Sequence, residues 1–220
     1  MVKAKEEGKI KHIGITAHLL NVAEEAVESG LYETLQFPFA YISTDKEIAL
    51  VRKCEEAGMG FLGMKGLAGG LLTNSKLCYW FACQHESVLP LWGVQRESEL
   101  AEFLSYQKQM PEMDEEMKAV YERDLRELAG DFCRGCGYCM PCPKGIQINN
   151  CARISQLLRR SPSANWLGEE WQAQMAKIKD CLHCGQCASK CPYGLDTPKL
   201  LEKNLEDYEN VLAGRVSVTG

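Results

Sequence analysis

Four short apolar runs recur at near-regular intervals along the first half of the chain: Ile10–Thr16 (IKHIGIT), Thr34–Phe39 (TLQFPF), Gly60–Met64 (GFLGM) and Val88–Trp92 (VLPLW). Their centres lie 23, 26 and 28 residues apart. Runs of this length, bounded by polar and turn-forming residues, predict strands. Helical patterns fill the gaps. Asn21 with Glu24 reads as an N-cap and its capping-box partner, with Gly30 as the stop, and Thr44, Glu47 and Gly58 repeat the device. The third gap holds a shorter helical stretch at 76–84, and Glu97–Gln107 is helical again. Strand–helix alternation with such short links demands parallel strands. The spacing approaches that of a (β/α)8 barrel, of which four units are present; on pattern alone a four-stranded open sheet stays open as the alternative.

Residues 111–130 predict a charged amphipathic helix, with Met117, Val120, Tyr121, Leu125 and Leu128 on one stripe and Gly130 at its end. It connects a first domain, 1–110, to a last one, 131–220. The last domain reads as helical, with segments Asn150–Arg160, Glu169–Lys179 and Thr197–Leu212 before a polar tail.

Composition narrows the class. The 220 residues are 45% hydrophobic and 25% charged, as in a globular protein rather than a disordered or fibrous one. A net charge of −5 argues against a nucleic-acid partner. No apolar stretch is long enough to span a bilayer, and MVKAKEEGKIKH lacks the hydrophobic segment of a secretory signal. The expectation is a cytoplasmic protein with no membrane attachment.

The 12 cysteines change the picture. Eight fall into two tight runs, Cys133-x2-Cys136-x2-Cys139-x2-Cys142-Pro143 and Cys181-x2-Cys184-x2-Cys187-x3-Cys191-Pro192. The first three members recur at an offset of 48 and the fourth at 49, the only internal repeat read here. The second run has the spacing of bacterial-type [4Fe–4S] ligands, whose fourth cysteine serves the other cluster in two-cluster proteins. Three thiolates at three-residue intervals wrap three corners of a cubane, so the fourth must come from elsewhere. Gly135, Gly137 and Gly185 let backbone N–H groups approach the sulfides. Crossed ligation is expected, with Cys133, Cys136, Cys139 and Cys191 around one cluster and Cys181, Cys184, Cys187 and Cys142 around the other. The shorter last gap of the first run leaves open a second arrangement, in which Cys142 closes its own run's cluster. Structural zinc is the competing reading, though zinc sites use separated cysteine pairs.

Cys54, Cys78, Cys83 and Cys151 read as buried thiols acting as small hydrophobes. His12 and His85 read as surface residues. His183, inside the second run, either tunes a bound group or is simply exposed, and His18 occupies a functional position just past a strand end.

The segments GKIKHIGITAH, ETLQFPF, MKGLAGG and LPLWGVQRESELAEF resemble the aldo-keto reductases, and CRGCGYCMPCPKGI resembles the start of the ferredoxin-type extension carried by one branch of that family. The resemblance covers nearly the whole chain. It implies an α/β fold, the C-terminal half of a (β/α)8 TIM-type barrel followed by an all-α two-cluster ferredoxin-like domain. The family's catalytic aspartate, tyrosine, lysine and histidine lie on its first four strands, and this chain resembles the barrel only from just before strand five. By similarity Thr16, His18 and Gln36 meet a nicotinamide carboxamide, Lys65 and Gly66 run beside the pyrophosphate, and Gly93 and Arg96 hold phosphate groups. Met64 stands where many relatives place a stacking aromatic ring, so NADP(H), flavin and no nucleotide all stay open.

Three functions follow. The first is the C-terminal part of an aldo-keto reductase-like iron–sulfur oxidoreductase, with two [4Fe–4S] clusters and NADP(H) bound once the barrel is completed. The second is a non-catalytic ferredoxin-like electron-transfer subunit, and the third a remnant whose clusters only hold the tail folded. The implied partners are a redox protein or the missing N-terminal half-barrel. Half a barrel leaves open strand edges and one apolar inner face. Ile13, Ile15, Leu35, Phe37, Phe61 and Leu89 are expected on that face, with self-association as the consequence.

Overall fold

The computed structural model describes residues 1–128 and 132–218, so the helix end expected at Gly130 lies outside the described residues. Contacts divide the chain into two compact units, Met1–Ala68 with Asn74–Glu127, and Gly69–Thr73 with Leu128–Gly220.

The first unit holds one parallel sheet in chain order: β1 (Gly14–Thr16), β2 (Thr34–Pro38), β3 (Gly60–Met64) and β4 (Val88–Pro90). All four strands were legible as apolar runs, with β1 and β4 trimmed at their outer ends. Around them run α1 (Val2–Glu6), α2 (Leu20–Ser29), α3 (Asp45–Glu56), α4 (Ser75–Cys83), α5 (Glu97–Lys108) and α6 (Glu115–Leu128). The capping box of α3 is present: the Glu47 N–H donates to Thr44 Oγ1 (3.4 Å) and the Thr44 N–H donates to the Glu47 carboxylate (2.7 Å). Gly30, at φ 63°, ends α2 in the left-handed conformation that glycine adopts without strain. Asn21 does not cap. The helix already begins at Leu20 behind Leu19, which places Asn21 inside the first turn.

Register sorts the sheet's two faces. Ile15, Leu35, Phe61 and Val88 form one row, and Thr16, Gln36, Leu62 and Leu89 the next. Side chains alternate between faces along a strand. The first row and Phe37 pack with Ala23 and Val27 of α2 and with Leu50, Val51 and Cys54 of α3. This corrects the expected inner face, since Ile15, Leu35, Phe37 and Phe61 lie under the helices rather than open to water. The amphipathic helices need an apolar surface to cover, and this row supplies it. Ile13 precedes β1 and is half-buried. Of the expected set only Leu89, 61% exposed, lies in the other row, with Thr16 exposed and Gln36 and Leu62 half-buried.

The stripe of α6 contains a residue that hydrophobic periodicity omits. Asp124 is fully buried, accepts from Tyr41 Oη at 2.5 Å and pairs with the Arg123 guanidinium at 3.0 Å. A buried carboxylate needs such donors, and here they tie α6 to the chain beyond β2.

The second unit is helical in its described residues: α7 (Ile148–Cys151), α8 (Ile154–Arg160), α9 (Ala164–Leu167), α10 (Glu169–Ala176), a 3-10 turn (Lys177–Asp180), α11 (Gln186–Ser189) and α12 (Thr197–Leu212). The helix expected over Asn150–Arg160 is broken at Ala152–Arg153, and that over Glu169–Lys179 tightens after Ala176. Buried Asn204 of α12 stitches the break: its Nδ2 donates to Ala152 O (3.2 Å) and the Ser155 N–H donates to its Oδ1 (3.0 Å). Segment 69–73 joins this unit through Arg153 Nη1 to Gly69 O (3.3 Å) and Arg160 Nη1 to Leu71 O (3.1 Å). No described helix is long and apolar enough to cross a membrane.

The face assignment has a direct test. In urea unfolding of the isolated chain, Phe37→Ala costs about 4 kcal/mol and Leu89→Ala less than about 0.5 kcal/mol. Equal losses contradict it.

Candidate functional site

The two cysteine runs fold as one motif used twice, and the repeat extends past the cysteines. Gly135 (φ 66°) and His183 (φ 49°) occupy equivalent left-handed positions, as do Gly137 (φ 83°) and Gly185 (φ 72°). These conformations pinch each C-x2-C-x2-C segment into a tight loop. Past each Cys-Pro the chain turns again, with the Gly145 N–H on Cys142 O (2.9 Å) and the Gly194 N–H on Cys191 O (3.2 Å). Buried Ile146 and Leu195 follow, and then α7 and α12 begin. His183 bears the αL strain that glycine avoids at Gly135.

Two solvent-open recesses result. One is lined by Cys181, Cys184 and Cys187 of the second run together with Cys142 of the first, and Cys139 also reaches its wall. The other is lined by Cys133, Cys136 and Cys139 of the first run with Cys191 of the second. The structure thus brings each fourth cysteine to the opposite run's triplet. Among the described residues no three His, Cys, Asp or Glu side chains converge on a point where a single ion would sit. The thiols surround a space instead, and Ile146, Ile148, Leu195 and Leu201 back the recesses with apolar surface.

Crowding and burial shape the thiols' chemistry. Burial pushes the Cys139 thiol up to about 12, and neighbouring Cys133, Cys136 and Cys187 add to the rise. Cys187 is raised by burial, then by Cys181 and Cys184. Cys133 is raised by burial and less by Cys136 and Cys191, while the Gly135 N–H (3.4 Å from Cys133 Sγ) and the Arg153 guanidinium pull it back. Thiolates gathered around one recess repel one another unless a cationic group lies between them, which is what metal ligation supplies. The donor set and its setting therefore fit an iron–sulfur cluster.

Among the remaining cysteines, Cys54, Cys78 and Cys151 are buried, their thiols raised by burial to about 11, 12 and 11. Cys83 departs from the expectation: it ends α4 and is exposed. His85 also differs from a surface residue, being half-buried with its ring 5.0 Å from Phe39 and 4.9 Å from Phe81.

The second candidate set lies at the carboxyl ends of the parallel strands, the edge where α/β sheets build ligand sites. Thr16 makes the last pairing of β1 and His18 lies just beyond it, and Gln36 lies in register beside Thr16 with its Nε2 donating to Met64 Sδ at 3.5 Å. Lys65, at φ 58°, leaves β3 directly, and the Ala68 N–H closes on its carbonyl at 2.7 Å. Gly66 is required sterically, because a Cβ there would sit 2.6 Å from the Trp92 ring. Burial lowers the His18 pKa and the Lys65 ammonium lowers it further, so these two candidates are brought together. Gly93 and Arg96 follow β4. Arg96 is turned toward its own helix, with its Nε donating to Glu99 Oε1 at 3.0 Å, rather than toward the strand ends.

Sequence reasoning missed Arg134 and Arg153. Arg134 and Tyr193, one of its two ring contacts, line the recess of the first triplet, and Arg153 lies against Gly135. No spacing rule announces Arg153. The recurring C-x2-C-G-x-C and C-P-x-G signatures would have disclosed the longer repeat.

Comparison with known proteins places these features. Residues 132–196 match the family model described as a 4Fe-4S dicluster domain, and residues 1–79 match that of the aldo/keto reductase family. Among solved structures, a proposed 2,5-diketo-D-gluconic acid reductase B is 21% identical, with a TM-score of 0.42 over 55% of this chain and 48% of that one. The chain spans about half the length of that structure. No curated protein matches it. The chain thus joins an aldo/keto reductase-type segment to a 4Fe–4S dicluster domain.

The His18–Lys65 proximity predicts that His18 titrates below 6.5 in an NMR pH series. Lys65→Met raises the midpoint only in part, because burial remains. An unmoved midpoint contradicts the proximity.

Proposed function

We propose that this chain is the C-terminal part of an aldo-keto reductase-like enzyme that moves single electrons through two [4Fe–4S] clusters. Two recesses, each lined by the three leading cysteines of one run and the last cysteine of the other, with Cys139 reaching both, carry the reading. Cys133, Cys136, Cys139 and Cys191 hold one cluster, and Cys181, Cys184, Cys187 and Cys142 the other. Surrounding a recess suits a multi-atom cluster better than a zinc ion, which wants four thiolates at one point. A cluster supplies one-electron transfer, and the chain's part is to supply thiolates, backbone N–H groups and apolar walls that set the potential.

In the first unit the parallel sheet, with its helices packed on one face, is half of a (β/α)8 barrel. The exposed row of Thr16 and Leu89 and the edge strands β1 and β4 are covered by a second half-barrel, which also brings the catalytic aspartate, tyrosine, lysine and histidine that this chain lacks. Thr16, His18, Gln36, Lys65 and Gly66 then form the wall against which NADP(H) lies. A second reading, a ferredoxin-like carrier without nucleotide, is favoured by one observation: Arg96 is engaged with Glu99 instead of standing free for phosphate.

Metal analysis after anaerobic purification tests the first claim. About eight irons per chain, four for each cluster, are expected, and zinc in their place overturns the reading. Sedimentation velocity tests the second. The isolated chain self-associates as its concentration rises, whereas a concentration-independent monomer contradicts the open half-barrel.

A further inference from the structure

The two recesses differ in the charge that surrounds them. Arg153 stands at the break before α8, and two glycines make room for it. A Cβ on Gly69 would lie 2.9 Å from its Nη1, and a Cβ on Gly135 2.9 Å from its Cζ. Gly135 lies between Cys133 and Cys136 and donates its N–H to Cys133 Sγ at 3.4 Å. The guanidinium is therefore pressed against the loop that presents the first triplet. Its Nη1 is spent on Gly69 O, while its Nε is buried and makes no hydrogen bond among the described residues. Arg134, which lines the recess itself, adds a second cation, held in place by ring contacts, its Cζ 4.3 Å from the Tyr193 centroid and 4.7 Å from that of Phe132. Among the described residues the only basic side chain on the wall of the other recess is Lys144, which is exposed and screened by water.

We propose that Arg153 and Arg134 are potential-setting residues that hold the cluster of the Cys133, Cys136, Cys139 and Cys191 recess at a higher reduction potential than its neighbour. The inference rests on the cluster reading above. Reduction adds one negative charge to a cluster, and a fixed cation nearby stabilises the reduced form more than the oxidised one. Net charge and hydrogen bonding to sulfur are among the protein's levers on cluster potential. Arginine suits the task because it stays protonated even when partly buried. An electron shared between the two clusters then rests on the one beside the guanidiniums, which gives the pair a direction.

The test is an EPR-monitored redox titration of the iron-loaded full chain, with iron content measured on each sample. Arg153→Gln makes one of the two clusters about tenfold harder to reduce, equivalent to 59 mV for a one-electron couple, and leaves the other where it was. Arg153→Lys, which keeps the charge, restores most of the loss, and Arg134→Gln shifts the same cluster by less. Should Arg153→Gln fail to load iron, Arg134→Gln decides alone. Unchanged potentials at full iron content overturn the proposal, as do equal shifts of both clusters, which a merely structural role would produce. A wild-type chain that binds no iron overturns the cluster reading itself, and this inference with it.

Discussion

A loop from Cys133 to Cys139 carries three thiols to one side of a space and leaves the fourth side to be closed by another part of the chain. In the proposed assignment that shortage organises the second unit. Each run must fold against the other so that Cys191 and Cys142 reach across, and the paired turns after Cys-Pro are the means. Because each turn is followed by a buried apolar residue and then a helix, closing the two sites also assembles the core of Ile146, Ile148, Leu195 and Leu201. Metal binding and folding are coupled in such small domains, and here the ligand loops and the core are the same stretches of chain.

The first unit answers to a different constraint. Parallel strands joined through helices need apolar side chains on the face that the helices cover, and Leu35, Phe37 and Phe61 meet that need. The carboxyl ends of the strands are then free to carry polar groups. His18, Gln36 and Lys65 gather there because the strands point the same way, not because they are near in sequence. Gly66, packed against Trp92, sets the path of the chain as it leaves β3.

Much of this was legible in the sequence. The strands showed as apolar runs, the opening of α3 as Thr44 with Glu47, and the cysteine runs by spacing alone. What failed did so for physical reasons. Asn21 resembled a cap, but the chain turns helical one residue earlier. Periodicity found the apolar residues of the sheet but could not say which face the helices would cover, and it placed Leu89 with Phe37 although they lie on opposite faces. Asp124 was invisible because a stripe read by hydrophobicity skips a carboxylate that the fold buries against Tyr41. Cys83 ends a helix on its exposed side, which composition cannot reveal. Arg153 acts across the fold on Gly69 and Gly135, so only the three-dimensional arrangement exposes it.

The most direct test of the central claim is iron-edge anomalous diffraction from crystals of the anaerobically prepared chain. The account predicts two compact iron peaks, one beside the sulfurs of Cys133, Cys136, Cys139 and Cys191, the other beside those of Cys181, Cys184, Cys187 and Cys142. Peaks each ringed by four cysteines of a single run, or signal at the zinc edge in place of iron, would contradict it.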